Sequence, residues 1–200
     1  GIGFMGRGHL DNYIRLESEG FPVKLVAVCD IDPNKFENKF LPGNIDVGNQ
    51  KYDFSKYRLY TDIEEMLNKE ELDYVDICLP TYLHARHAIL AMEKGLDVFL
   101  EKPVCMNMKE AEELLNVQKK TGKKVMIGQV IRAWDEYKLL KKIIDENTYG
   151  KIVSAVFKRI SPLPTWSWEG WLHKPECSGT MALDLHIHDV DFVRYILGEP

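Results

Sequence analysis

Two stretches of this 200-residue chain carry residue types able to do chemistry. The first is Glu101-Lys102-Pro103, at the end of the apolar run 97–100. Lysine is a point cation on a flexible stem, and its pKa falls in a partly dry pocket. The proline that follows holds it in a fixed direction if the bond between them is cis. A surface ion pair at a strand end is the blander reading. The second stretch is Asp184-x-x-x-His188-x-x-Asp191. On one helix, positions i, i+4 and i+7 share a face. Asp184 is therefore expected to hydrogen-bond His188, fix its tautomer and raise its basicity. A neutral imidazole is a suitable base for an alcohol proton. A polar helix face with a satisfied histidine is the alternative. His186 falls on another face of that helix, which argues against a His186/His188 metal pair, and no metal is expected.

A third motif opens the chain. Gly1-x-Gly3-x-x-Gly6 has the spacing of a dinucleotide fingerprint: one glycine for the tight turn, one for close approach of a pyrophosphate, one for helix packing. The amides near Phe4 and Met5 would meet the phosphates at a helix N-terminus. Asp30 ends the next strand, where its carboxylate can accept from a ribose 2′-hydroxyl and would repel a 2′-phosphate. NAD is therefore favoured over NADP. Asp30 also reads as the residue closing a strand into the Asp32-Pro33 turn. Thr81 and His84 follow Pro80 near the same sheet edge. Two readings of His84 stand, contact with a cofactor or a cap on its own helix. Arg132 is placed to touch substrate or to brace a domain junction. Trp166, Trp168 and Trp171 are able to stack on a sugar ring or simply to pack a loop.

Only a fold can bring these motifs together. The sequence reads as a helix from near Gly6 to Ser18, a strand at 23–30, and an irregular insertion at 38–57. A capping box at Thr61–Glu64 opens a short helix through Leu67. A strand at 74–79, a helix at 83–94, the strand at 97–100, a helix capped by Asn107 with Ala111, Leu114 and Leu115 inward, and a strand at 124–129 follow. This alternation argues for a doubly wound parallel sheet, whose strands end on one edge where ligands bind. After about residue 128 the style changes: a helix at 137–146, a long strand at 151–160, the tryptophan loop, and one helix at 181–197. The expected organisation is an α/β Rossmann domain over 1–127 and the start of an α+β domain with an open, mainly antiparallel sheet over 128–200. The first strand and a C-terminal piece are expected to lie outside these residues.

Composition narrows the function classes. The net charge is −5 and the pI about 5.7, with no long basic run, so nucleic acid is not an expected partner. The apolar runs are strand-length, short of the roughly 20 residues a membrane helix needs. Cys29, Cys78, Cys105 and Cys177 form no C-x-x-C pair, which suggests free thiols and the cytoplasm.

Taken together, these residues resemble the glucose-fructose oxidoreductase / inositol 2-dehydrogenase (Gfo/Idh/MocA) family. The resemblance spans essentially the whole chain. It is carried by Gly1-x-Gly3-x-x-Gly6, the strand ending in Asp30, the turn Pro80–His84, Glu101-Lys102-Pro103 and the Asp184/His188/Asp191 segment. It implies an NAD(P)-dependent enzyme (EC 1.1.1.-) that moves a hydride between nicotinamide and a CH–OH carbon of a sugar, cyclitol or derivative. It also implies a homodimer or homotetramer. Glu101 and Lys102 would line the cofactor site, Lys102 would orient the substrate hydroxyl, and His188 assisted by Asp184 would be acid and base. Arg132, Trp168 and Asp191 are expected beside the substrate. Two departures stand out: the family commonly has a small residue where His186 stands, and often glycine where Thr180 stands. Two other readings remain, a catalytically silent NAD(P)-sensing regulator and an NAD-assisted lyase or glycosidase-like enzyme.

Overall fold

The computed structural model describes residues 1–38, 43 and 51–199. Most of the irregular segment expected at 38–57 therefore lies outside the described residues.

The five strands among the described residues are all parallel. β1 (Ala27–Cys29) pairs with β2 (Arg58–Tyr60), and β3 (Tyr74–Ile77), β4 (Asp97–Glu101) and β5 (Val125–Gly128) form a second sheet in that order. Leu100 sits opposite Ile77 on one side and Ile127 on the other. α1 (Phe4–Ser18) precedes β1, and α2 (Ile63–Lys69), α3 (His84–Glu93) and α4 (Met108–Thr121) lie between successive strands from β2 to β5. The first three residues lie between the two sheets. Ile2 N donates to Asp30 Oδ2 at 2.8 Å, just past β1. A Cβ on Gly1 would come within 2.5 Å of the Cys78 carbonyl just past β3, and one on Gly6 within 2.0 Å of Gly1 O. Only glycine at both positions lets the turn and α1 close on the strand ends.

The main core lies under α3 and α4. Ala88, Ala91 and Met92 of α3 and Leu114 of α4 pack on Val75, Ile77, Val98 and Leu100. Small residues on α3 bring its backbone close to the sheet, and each large side chain buried there contributes about 1.5–3 kcal/mol. Leu115, expected inward, is exposed, because the row that faces the sheet runs through Leu114 and Val117. Asn107 caps α4 as expected, accepting from Glu110 N at 3.0 Å, while Glu110 Oε2 accepts from Met106 N. At α2 the cap is Asp62, accepting from Glu65 N, and not Thr61, which stands one residue too early to reach that amide. The strand expected from Val23 is only three residues long. Leu25 N donates to the Glu17 carboxylate instead of a neighbouring strand.

Beyond β5 the described residues are helical or irregular. A 3₁₀ turn (Val130–Ala133) leads to α5 (Asp135–Asp145), and a second 3₁₀ stretch (Trp168–His173) leads to α6 (Pro175–Ser178), α7 (Thr180–Asp184) and α8 (Ile187–Leu197). Ile131, Phe192 and Ile196 form a separate core, with the Tyr137 ring edge-on to Phe192 at 4.7 Å. Two expectations fail here. The segment 151–160 forms no strand. It has β-branched character but no neighbouring strand among residues 129–199, and a strand needs a ladder to satisfy its backbone. The open antiparallel sheet is thus not formed within the described residues. The expected helix over 181–197 is broken in two. His186 N donates to Met181 O, five residues back, and this wide turn ends α7 before α8 begins.

Candidate active site

The Glu101-Lys102-Pro103 turn sits at the C-terminal end of the central strand β4, and its Lys102-Pro103 bond is cis. The turn is held on three sides. Glu101 is buried; its Oε2 accepts from Lys102 N at 3.1 Å and its Oε1 lies 3.1 Å from His9 Nε2 of α1. His84 reaches Pro103 O (2.6 Å) and Leu79 O (2.7 Å) with its two ring nitrogens. Burial pushes the His84 pKa down, against the pull of those carbonyls. His84 thus lies between two backbone carbonyls, a neutral ring that donates to one of them, and caps nothing with its side chain. It ties the end of β3 to the lysine turn, a role neither reading from sequence supplied. Thr81 beside it is completely buried, with its hydroxyl unpartnered among the described residues.

The lysine amine crosses to the second half of the chain. Lys102 Nζ donates to Asp184 O at 2.7 Å and to Asp184 Oδ1 at 3.0 Å. This corrects the expected Asp184–His188 hydrogen bond: the wide turn after Asp184 takes the two residues off a shared helix face, and the carboxylate goes to Lys102. His188 is buried, and its Nδ1 has no partner among the described residues. Its pKa is pushed down to about 4, first by burial and then by the positive charges of Lys102 and Arg159, which outweigh Asp184 and Glu101. The ring is therefore neutral at pH 7, beside an ammonium group that is only partly exposed. Arg159 is held by Asp189, which it meets through Nε and a terminal nitrogen at 2.9–3.1 Å. Neither Arg159 nor Asp189 was singled out from sequence, because 30 residues separate them.

At the other end of the site, α1 starts without a side-chain cap or an acidic first turn. Its first amides, at Phe4, Met5 and Gly6, are the donors a helix leaves unpaired. A Cβ on Gly3 would meet no atom within 4 Å, so this glycine borders open space where its neighbours Gly1 and Gly6 are packed tight. An anion at the helix N-terminus fits that cradle. Asp30 stands at the same turn, accepting from Ile2 N and from Asp32 N. Asp32 caps the 3₁₀ turn Pro33–Glu37.

The remaining sequence-named residues lie apart from Lys102. Arg132 and Asp191 bond each other in a two-pronged pair at 2.5–2.7 Å, and the Arg132 guanidinium lies 4.6 Å from the Tyr195 ring centre. They border an open depression of about 270 Å³ with Gln129, Ile187 and Arg194. Trp168 is exposed, whereas Trp166 tilts against Phe4 of the glycine turn at 6.4 Å. His186 is exposed. His9, Asp76 and Cys78 bring possible metal-ligating atoms within 4.8 Å of one another, a cluster no sequence motif announced.

Two family models match the chain, the Gfo/Idh/MocA oxidoreductase family with its NAD-binding Rossmann fold over residues 1–129 and the Gfo/Idh/MocA C-terminal domain over 137–200. The chain belongs to the Gfo/Idh/MocA family. Its α/β fold with parallel sheets is the Rossmann fold of that family. A 2,7-anhydro-N-acetylneuraminate hydratase of Mediterraneibacter gnavus is 30% identical over 141 residues, covering 69% of this chain and 37% of the relative. A myo-inositol 2-dehydrogenase of Thermotoga maritima is 25% identical over 201 residues, covering 100% of this chain and 54% of the relative. The crystal structure of a myo-inositol 2-dehydrogenase from Lactobacillus plantarum superposes with a TM-score of 0.73 at 26% identity, over 98% of this chain and 54% of that one. The chain thus spans about half the length, or less, of these relatives. No described helix is long and apolar enough to cross a membrane.

Proposed function

We propose that the protein is an NAD-dependent oxidoreductase that moves a hydride between nicotinamide and a CH–OH carbon of a sugar, cyclitol or derivative. The observation that carries this is the Lys102 ammonium, held by Asp184, near a buried, neutral His188 whose Nδ1 has no partner among the described residues. Gly1, Gly3, Phe4, Met5, Gly6 and Asp30 would hold the dinucleotide, with Thr81 and the Glu101-Lys102 turn beside it. The dinucleotide, when bound, supplies the hydride acceptor. Lys102, steadied by Asp184, donates to the substrate hydroxyl and stabilises negative charge building on its oxygen. His188 receives the hydroxyl proton at a ring nitrogen. Its low pKa makes it a weak base, and the neighbouring ammonium compensates by acidifying the alcohol. Asp30 favours NAD, since its carboxylate would repel a 2′-phosphate. Arg132, Trp168 and Asp191 are the outer substrate contacts of this reading.

The test is a polyol and sugar panel assayed by NADH absorbance with the full-length protein. Turnover that survives both Lys102→Ala and His188→Ala removes the assigned roles. The 30%-identical hydratase favours a second reading, an NAD-assisted lyase-type reaction. Product formation with no net NADH would select it, and NAD binding without any turnover would select a sensor.

A division into domains close to the proposed 127/128 is supported by the end of β5 at Gly128 and by the two family models, whose matched ranges end at 129 and begin at 137. The four free thiols support a reducing compartment such as the cytoplasm. A homodimer or homotetramer, checked by light scattering on the full-length protein, completes the proposal.

A further inference from the structure

His9 stands below the lysine turn, on α1, with carboxylates at both ring nitrogens. Nδ1 is 2.8 Å from Asp76 Oδ2 at the middle of β3, and Nε2 is 3.1 Å from Glu101 Oε1 at the end of β4. An ionised carboxylate only accepts. Both ring nitrogens must therefore donate, which requires the imidazolium. The groups facing it support that state. Tyr13 O–H donates to Asp76 Oδ2 at 2.9 Å, and the Cys78 thiol lies 3.3 Å from both Asp76 Oδ1 and His9 Nδ1. The Phe99 ring covers one side, with centroids 5.5 Å apart. Burial alone would lower the His9 pKa, but the hydrogen bonds to Asp76, Cys78 and Glu101 push it up to about 12. Burial pushes the Cys78 thiol up, so it too stays protonated.

We propose that His9 is a positioning residue: as a cation bound between Asp76 and Glu101, it fixes the Lys102 turn relative to the helix that begins at the glycine fingerprint. Its bond to Glu101 Oε1 leaves Oε2 aimed at Lys102 N. Without the cation, half-buried Asp76 and buried Glu101 are two carboxylates without this counter-charge, and Glu101 turns away from the lysine amide. The consequence for turnover rests on the reading of Lys102 given above. The placement of the turn does not.

The experiment uses the full-length protein with ¹⁵N-labelled histidine and backbone. His9, assigned by its loss in His9→Asn, is expected to carry protons on both nitrogens from pH 6 to 9. The Lys102 amide resonance is expected to shift in His9→Asn and, should that variant fold poorly, in Asp76→Asn. In the NADH assay, kcat of His9→Asn is expected to fall about 10- to 100-fold, as for a misplaced reacting group, with KM for the dinucleotide within about twofold. A His9 ring that becomes neutral between pH 6 and 8, or a Lys102 amide unmoved in both variants, overturns the proposal even if the protein turns over no polyol. So does equimolar zinc that strips the His9 protons, which would make His9, Asp76 and Cys78 a metal site. A kcat unchanged in an active enzyme also defeats it.

Discussion

Besides His84, two histidines flank the Lys102 turn, half-buried His9 and buried His188, and the protein drives these two in opposite directions. Below, His9 lies between two carboxylates and its pKa rises to about 12. Above, His188 has an Nδ1 without a partner among the described residues and two cations nearby, Lys102 and Arg159, and its pKa falls to about 4. Both rings pay a desolvation penalty that favours the neutral form. The sign of the neighbouring charge decides which form survives. A ring with both nitrogens bonded by anions can hold a geometry but has no site left for a proton from elsewhere. A ring with a free nitrogen can take one. The comparison thus separates a brace from a candidate base within one site.

The sharpest way to break that separation is to remove the upper ring. His188→Ala is expected to cost about 10³-fold in kcat/KM, within the range of a positioned base, measured against the best substrate of the polyol panel. A loss no larger than that of His9→Asn would mean that both rings are braces. The cradle at the helix N-terminus gives the next effect. Gly3→Ala places a methyl in open space, so the melting temperature is expected to hold while the Kd for NAD rises about tenfold, one lost interaction of about 1.4 kcal/mol. Gly6→Ala puts its methyl 2.0 Å from Gly1 O and is expected to lower the melting temperature as well. Equal losses of stability in the two variants would argue that the open space at Gly3 holds no ligand.

A gentler probe leaves both rings in place. Arg159→Gln removes one of the cations that depress His188. Neutral His188 is the active form, so activity is lost as pH falls through its pKa. Raising that pKa toward the ordinary 6.5 moves the acid limb of kcat/KM to higher pH. The same sign governs stability. A depressed histidine pKa contributes stability that is present above about 6.5 and is lost as pH falls toward about 4. The variant should lose less stability across that window, as thermal melts at stepped pH would show. An acid limb that stays in place or moves down would separate His188 from the titrating group.

The two halves of the site were unequally legible in sequence. Glu101-Lys102-Pro103 and Gly1-x-Gly3-x-x-Gly6 are local patterns, and strand–helix alternation places both on one sheet edge without knowledge of any contact. Their partners lie across the chain: His9 meets Asp76 from 67 positions away, and Lys102 meets Asp184 from 82. No spacing rule finds such pairs. Helical periodicity misled at Asp184 and His188, because one wide backbone turn shifts the phase without leaving a composition mark. At 151–160, β-branched residues suggested a strand, yet a strand exists only where a ladder receives it. Arg159, within that segment, is anchored by Asp189 and Tyr137 instead.

The smallest expected effect concerns the strain next to Asp184. Thr180 has φ +57 and begins α7, the short helix that delivers Asp184 to Lys102. A β-branched residue in the left-handed region crowds its Cβ against the backbone, at roughly 1–2 kcal/mol. Thr180→Gly removes that cost but gives back about 0.5–1 kcal/mol through the freedom glycine has in the unfolded chain. The net expectation is a stabilisation of about 0.5–1 kcal/mol, read from denaturant midpoints at constant m. Thr180 N also donates to Ser178 Oγ at 2.8 Å, a bond glycine keeps, so the substitution isolates the backbone term. Activity adds the functional half of the test. If the strained turn holds Asp184 against Lys102, the glycine variant gains stability and loses a little kcat. A variant that gains stability with kcat unchanged would show that the threonine is tolerated there without shaping the upper half of the site.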